Sequence, residues 1–147
     1  MSKKVLITGG AGYIGSILTP LLLARGFSVT VLDNLLFGQA SLLDCCINPN
    51  FTFIHGDISD RCVMKKLLAS HDVVIPLAAI VGAPACSQNP ALAKLVNEEA
   101  PLWMLKQLSV DQNVVFPTTN SGYGVGGAES FCDESSPLHP ISDYAKA

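Results

Sequence analysis

Charge is what this chain has least of. Only 14% of its 147 residues are Asp, Glu, Lys or Arg, the net formal charge is -3, and basic residues form no cluster beyond Lys3-Lys4 and Lys65-Lys66. Nothing here gives the positive footprint that a nucleic-acid phosphate backbone requires. Long apolar runs are also missing. Arg25 and the glycines break the longest candidate well short of the ~18 residues that a membrane span needs. The Lys3-Lys4 start leads straight into a short strand, with no signal-peptide core and cleavage site behind it. The five cysteines, at 45, 46, 62, 86 and 132, show neither C-x-x-C nor His-paired spacing. That argues against a zinc or thioredoxin-like motif and for reduced thiols acting as small hydrophobes in a cytoplasmic protein.

What the chain does have is apolar bulk, at 49% of residues. Its length suits one domain that buries roughly two-thirds of its unfolded surface. Strands of a parallel sheet, buried on both faces, read as continuous apolar runs, and a missing covering partner would add to the excess. Five such runs occur: KVLIT (4–8), SVTVLD (28–33), FTFIHG (51–56), DVVIPL (72–77) and NVVFPT (113–118). Helical patterns lie between them near 12–25, 59–69 and 90–109, and 40–46 is ambiguous. Gly26 should end the first helix, Asp60 should cap the second, and Pro101 should kink or break the third. Strand and helix alternate without hairpin signals, which predicts a doubly wound parallel α/β sheet. The long Gly-, Ser- and Pro-rich stretch at 120–142 reads as a functional or mobile loop.

The strongest chemical signal follows the first strand. Residues 8–15 read TGGAGYIG, and Gly10-x-Gly12-x-x-Gly15 has the spacing of a dinucleotide turn. Glycine permits the sharp turn, the close approach of backbone to a pyrophosphate and the close packing of helix on strand. The helix start then offers free N–H groups and a positive dipole end. Asp33 closes the next strand 18 residues after Gly15, placed to accept both hydroxyls of an adenosine ribose. It would repel a 2′-phosphate, and no arginine flanks it, so the expected cofactor is NAD. The Gly-Lys-Ser/Thr of a nucleoside triphosphate loop is absent.

These residues resemble the extended short-chain dehydrogenase/reductase family, and within it the NAD-dependent nucleotide-sugar epimerases of the UDP-glucose 4-epimerase type. Thr8-Gly9-x-x-Gly12-x-x-Gly15 is similar to that family's TGxxGxxG, which implies cofactor contacts at Gly9, Gly12, Tyr13, Ile14 and Gly15. VLDNLLFG (31–38) resembles VxDNLxxG, which places Asp33 and Asn34 on the ribose and includes Gly38. HGDISD (55–60) resembles the third-strand motif, with Asp57 and Ile58 beside adenine. PLAAIVG (76–82) resembles the family's HLAA segment, with Pro76 in place of histidine and Leu77, Ala78 and Ala79 near the pyrophosphate and nicotinamide ribose. Asn97 matches an asparagine that supports the site. The resemblance implies a Rossmann-type doubly wound parallel sheet, truncated, with about five strands present and the C-terminal substrate domain absent.

VVFPTTNSGYG (114–124) resembles the fifth strand and the loop with the catalytic hydroxyl, which falls on Thr119, four residues before Tyr123. Tyr144 follows 25 residues later, where the family places its acid–base tyrosine. An alcohol loses hydride only if its proton leaves too, and an unperturbed tyrosine, with a pKa near ~10, needs a lysine ammonium and the nicotinamide charge to act as base. That lysine belongs at position 148, one helical turn on; Lys146 sits on the wrong side of the helix. The expectation is therefore an N-terminal fragment, cut inside its catalytic helix and inactive by itself. Asn120 and Ser121 supply no acid after Thr119, which favours epimerisation over dehydration or decarboxylation. A nucleotide-sugar substrate and a homodimer are implied for the whole protein, with no nucleic-acid or membrane partner. An NAD-dependent reductase or dehydrogenase of the same family, and a non-catalytic dinucleotide-binding module, stay open.

Overall fold

The computed structural model describes residues 2–125 and 131–146, so part of the 120–142 loop lies outside the described residues. Five strands, β1 (Lys4–Thr8), β2 (Ser28–Asp33), β3 (Phe51–His55), β4 (Val73–Pro76) and β5 (Asn113–Val114), form one parallel sheet in the order β3-β2-β1-β4-β5. Alternation along each strand divides the core in two. Val5, Ile7, Val29, Val31 and Ile75 pack towards α1 (Tyr13–Ala24), with Leu23 and Cys45. Leu6, Leu32 and Val74 point the other way, onto Met64 and Leu68 of α2 (Arg61–Leu68) and Met104 of α5 (Ala100–Leu105). Burial on both faces accounts for the apolar runs, and the chain has the doubly wound, Rossmann-type architecture expected of them.

Local chemistry sets most of the ends. After α1, Gly26 takes φ +82°, its N–H bonds Leu23 C=O at 3.0 Å, and Phe27 N–H bonds Leu22 C=O at 3.1 Å, a glycine-terminated helix end. The Asp60 carboxylate accepts from the N–H groups of Cys62 and Val63 at 2.9 and 3.1 Å and caps α2. Residues 40–46, ambiguous in sequence, contribute to a short 3-10 turn at Leu43–Ile47.

Three elements depart from expectation. The helix placed at 90–109 is split into α4 (Pro90–Lys94), a π-helical turn at Leu95–Glu99 and α5, which stops at Leu105. Pro101 cannot donate to the Asn97 carbonyl, and the chain widens in the turn ahead of it. A further short helix, α3 (Ala83–Gln88), precedes α4. The fifth strand, expected over 113–118, pairs only over Asn113–Val114. Val74 lies opposite Val114, and Val115 N–H still reaches the Val74 carbonyl at 3.0 Å. The next two rungs would need N–H donors from residues 76 and 117, and both are proline.

One buried polar pair ties α2 to the sheet. The Nδ1–H of His71 donates to the Leu67 carbonyl at 2.6 Å, so the neutral ring accepts the Thr30 hydroxyl on Nε2 at 2.8 Å. Burial pushes the His71 pKa below its ordinary value; the Leu67 carbonyl opposes that shift, Lys4 adds to it, and Asp72 opposes it. The folded pKa therefore lies below the unfolded one. The resulting stability is fully present above about pH 6.5 and is lost as pH falls through the folded pKa, at no more than ~1.4 kcal/mol per pH unit. Urea midpoints should drop between pH 7.5 and 5.5, and His71→Gln should flatten that drop; an equal slope in the variant would remove His71 as the cause.

Candidate functional site

A cavity of about 610 Å³ opens beyond the carboxyl ends of β1, β2, β3 and β4. Its walls are the turn after β1, the start of α1, the loop 33–39 after β2, residues 56–58 after β3 and residues 77–81 after β4, closed by Leu92 and Val96. The loops after β1 and β4 leave neighbouring strands on the two sides of the point where strand order reverses, the place where open α/β sheets take ligands.

At Gly9 and Gly15 the turn has no room for a side chain. Gly9 has φ +69°, and a Cβ there would stand 2.5 Å from the backbone N and Cα of Ala78. A Cβ on Gly15 would overlap the backbone of Gly10. At Gly12 it would meet only the Gly9 carbonyl oxygen, at 3.2 Å. Gly12 precedes α1 without a side-chain cap, and Ser16 N–H is the first to reach back within the helix, to Gly12 C=O at 2.9 Å, so the N–H groups of Tyr13, Ile14 and Gly15 have no intrahelical acceptor.

Asp33, at the end of β2, is fixed by two loops at once. One carboxylate oxygen accepts Ala11 N–H at 2.9 Å and the other accepts Leu35 N–H at 2.8 Å, which leaves lone pairs on both. The same bond helps hold Leu35 at φ +53°, left-handed for a non-glycine residue. Asn34 Nδ2 donates to Asp57 at 2.9 Å and so bridges the loops after β2 and β3. Burial works against the Asp57 charge, yet hydrogen bonds from Ser59 and Asn34 outweigh it and hold the carboxyl below its usual range. The Ser41 hydroxyl donates to Ala11 C=O at 2.6 Å, so both polar groups of Ala11 are held by side chains from one loop. Among the described residues, no Lys, Arg or His lines the cavity. Among the described residues, no group of His, Cys, Asp and Glu could hold a metal ion.

Gly9, Gly12, Tyr13, Ile14, Gly15, Asp33, Asn34, Asp57, Ile58, Leu77, Ala78 and Ala79 thus come together around one cavity, and Gly38 and Asn97 do not line it. Gly38 closes the turn 35–38 by donating to Leu35 C=O at 2.8 Å. Asn97 stands behind the wall, where its amide accepts Ile80 N–H at 2.8 Å and donates to Ile80 C=O at 2.9 Å. The Cys86 thiol shares that carbonyl at 3.3 Å. Sequence reasoning passed over Ala11, Leu36, Phe37, Ile80 and Val81, apolar or small residues whose positions depend on how the loops fold. Thr119 lies outside the cavity, where its side chain accepts Ser121 N–H at 3.3 Å and caps a 3-10 turn at Asn120–Tyr123. Tyr144, in α6 (Asp143–Lys146), is half-buried, and α6 packs on both α3 and that turn. Lys146 lines a second cavity of about 380 Å³, with Asn97, Cys86, Lys94 and Glu98.

The family model of the NAD dependent epimerase/dehydratase family matches residues 5–147. The chain belongs to that family. Within this NAD-dependent epimerase/dehydratase family, the chain is 35% identical over 127 residues to a UDP-N-acetyl-alpha-D-glucosaminuronate decarboxylase of Bacillus cytotoxicus, which covers 86% of this chain and 39% of that protein. A UDP-glucose 4-epimerase of Lactobacillus helveticus is 34% identical over 148 residues, 97% of this chain and 43% of the relative. Among solved structures, the UDP-glucose 4-epimerase of Thermus thermophilus, in complex with NAD, superposes with a TM-score of 0.83 at 31% identity, over 97% of this chain and 46% of that one. This member of the NAD-dependent epimerase/dehydratase family therefore spans less than half the length of these relatives. Their names cover both a decarboxylase and epimerases, so similarity across this half does not separate the two reactions.

Proposed function

We propose that the chain is the NAD-binding N-terminal part of a nucleotide-sugar epimerase. The observation that carries the reading is the coupling of the glycine turn to Asp33. Backbone packing leaves no space at Gly9 or Gly15, while Asp33 spans the Ala11 and Leu35 N–H groups with lone pairs to spare. A dinucleotide fits this cradle. The N–H groups at the start of α1 and its dipole would face the pyrophosphate, Asp33 and Asn34 the adenosine ribose, and Asp57 and Ile58 the base. Leu77, Ala78 and Ala79 would let the nicotinamide end approach the backbone. When bound, NAD takes up a hydride from a sugar carbon and can return it.

Thr119 would orient the substrate oxygen and Tyr144 would carry its proton. The packing of Tyr144's helix on the turn capped by Thr119 supports that pairing. Asn120 and Ser121, which follow Thr119, offer no carboxyl for expelling a leaving group, and this favours epimerisation over dehydration or decarboxylation. Asn97 would act through Ile80 as a positioning residue. The nucleotide-sugar substrate and a homodimer belong to the whole protein, and this chain alone should turn over no sugar nucleotide appreciably.

Calorimetric titration tests the reading. NAD should bind at least tenfold more tightly than NADP, whose 2′-phosphate would meet Asp33 with no basic side chain among the described lining residues to offset it. Absence of heat or competition with NAD would sink the dinucleotide reading, and robust turnover of UDP-glucose by homogeneous 147-residue chain would sink the inactivity.

A further inference from the structure

The loop between Asp33 and Ser41 is anchored at both ends to the cavity. At one end Asp33 accepts Leu35 N–H at 2.8 Å, and at the other the Ser41 hydroxyl donates to the Ala11 carbonyl at 2.6 Å. The turn 35–38 between these anchors is closed by Gly38 N–H on Leu35 C=O at 2.8 Å, with Leu35 at φ +53° and Gly38 at φ +64°. Two left-handed residues and a carboxylate anchor thus fix a turn whose central pair is Leu36-Phe37. Phe37 lines the cavity, yet 72% of its surface is exposed. An aromatic ring held at a cavity mouth with most of its apolar area in water gains when a ligand covers it.

We propose that Phe37 packs against the adenosine half of the bound dinucleotide and is a determinant of its affinity. The inference rests on the reading of this cavity as the NAD site. Among the described residues, the one other aromatic side chain lining the cavity is Tyr13, the first residue of α1, which stands at the helix start that would face the phosphates. Phe37 instead stands on the segment that departs from the ribose carboxylate. A π face takes a purine ring through stacking and buried area, without any hydrogen bond from the side chain. That contact complements Asp33, which would fix the ribose by hydrogen bonds alone.

The test uses the 147-residue chain with NAD and 5′-AMP as probes, measured by calorimetry on the wild type and on Phe37→Ala, Phe37→Leu and Ile47→Ala, the last at an exposed apolar residue that does not line the cavity. Phe37→Ala should weaken both ligands about tenfold, Phe37→Leu should recover part of the loss, and Ile47→Ala should change AMP binding less than twofold. Since Phe37 is largely exposed, its variants should melt with the wild type. Phe37→Trp adds a spectroscopic signature: its emission should change on saturation with AMP, above the background from Trp103, which packs on the α2–α5 side of the sheet. AMP binding unchanged by Phe37→Ala, or an equal loss from Ile47→Ala, overturns the inference while the NAD reading stands. If neither NAD nor AMP binds the wild type, the NAD reading fails and the inference falls with it.

Discussion

A Gly9→Ala chain should lose about 3 kcal/mol or more of folding stability and all measurable NAD binding. Two costs combine. Gly9 sits at φ +69°, where alanine is strained, and its new methyl would press on the Ala78 backbone from 2.5 Å. Neither side can yield locally, because Gly9 N–H is bonded to Leu32 C=O at 2.8 Å and Leu77 N–H to Thr8 C=O at 2.8 Å. The loops after β1 and β4 would have to separate, and they form two walls of the cavity. Gly26→Ala isolates the conformational part, since Gly26 has φ +82° with nothing within 4 Å of a new Cβ. That variant should cost only about 1 kcal/mol and leave the cavity intact. Urea unfolding of both variants with NAD titration checks the pair, and equal losses would show that packing at Ala78 is not what requires Gly9.

Asp33→Ala should lower NAD affinity by at least a hundredfold and narrow the preference over NADP. The carboxylate would lose its charge-assisted bonds to the ribose, and it already organises the protein before ligand arrives. Without it, Ala11 N–H and Leu35 N–H lose their acceptor, at ~1–3 kcal/mol for each group left unsatisfied in a part-buried place. Leu35 would also lose a bond that helps hold its left-handed conformation. Asp33→Asn keeps one acceptor oxygen and turns the other position into a donor facing an N–H, so it should fall between wild type and alanine. Calorimetry with NAD and NADP on all three chains provides the check. Retained NAD affinity in the alanine variant would mean that Asp33 serves the loops alone.

Much of this was legible because short-range chemistry decided it. KVLIT and SVTVLD became β1 and β2 with the ends their β-branched runs suggested, and Asp60 and Gly26 bound helix ends as their side chains or freedom of φ dictate. The departures have different causes. NVVFPT has the composition of a six-residue strand, and only the register against β4 reveals that Pro76 and Pro117 fall on successive rungs. Pro101 warned of a break, but not that the turn ahead of it would widen into a π-helical one. In the loop after β2, the motif drew attention to Gly38, whereas the cavity is lined by its neighbour Phe37. The glycine provides the bend, and the residue beside it receives the exposure.

The proline pair at positions 76 and 117 has a consequence beyond the length of β5. An outer strand with free donors and acceptors is a template for a stranger's backbone, and a greasy one is a seed for fibres. Here the edge strand holds just two paired residues, although Val115 and Phe116 beyond it are exposed. Pro117 falls on a rung that faces β4, so together with Pro76 it ends the pairing that would hold this stretch as a strand. At this margin of the sheet, a chain rich in apolar residues thereby offers a strand too short to copy.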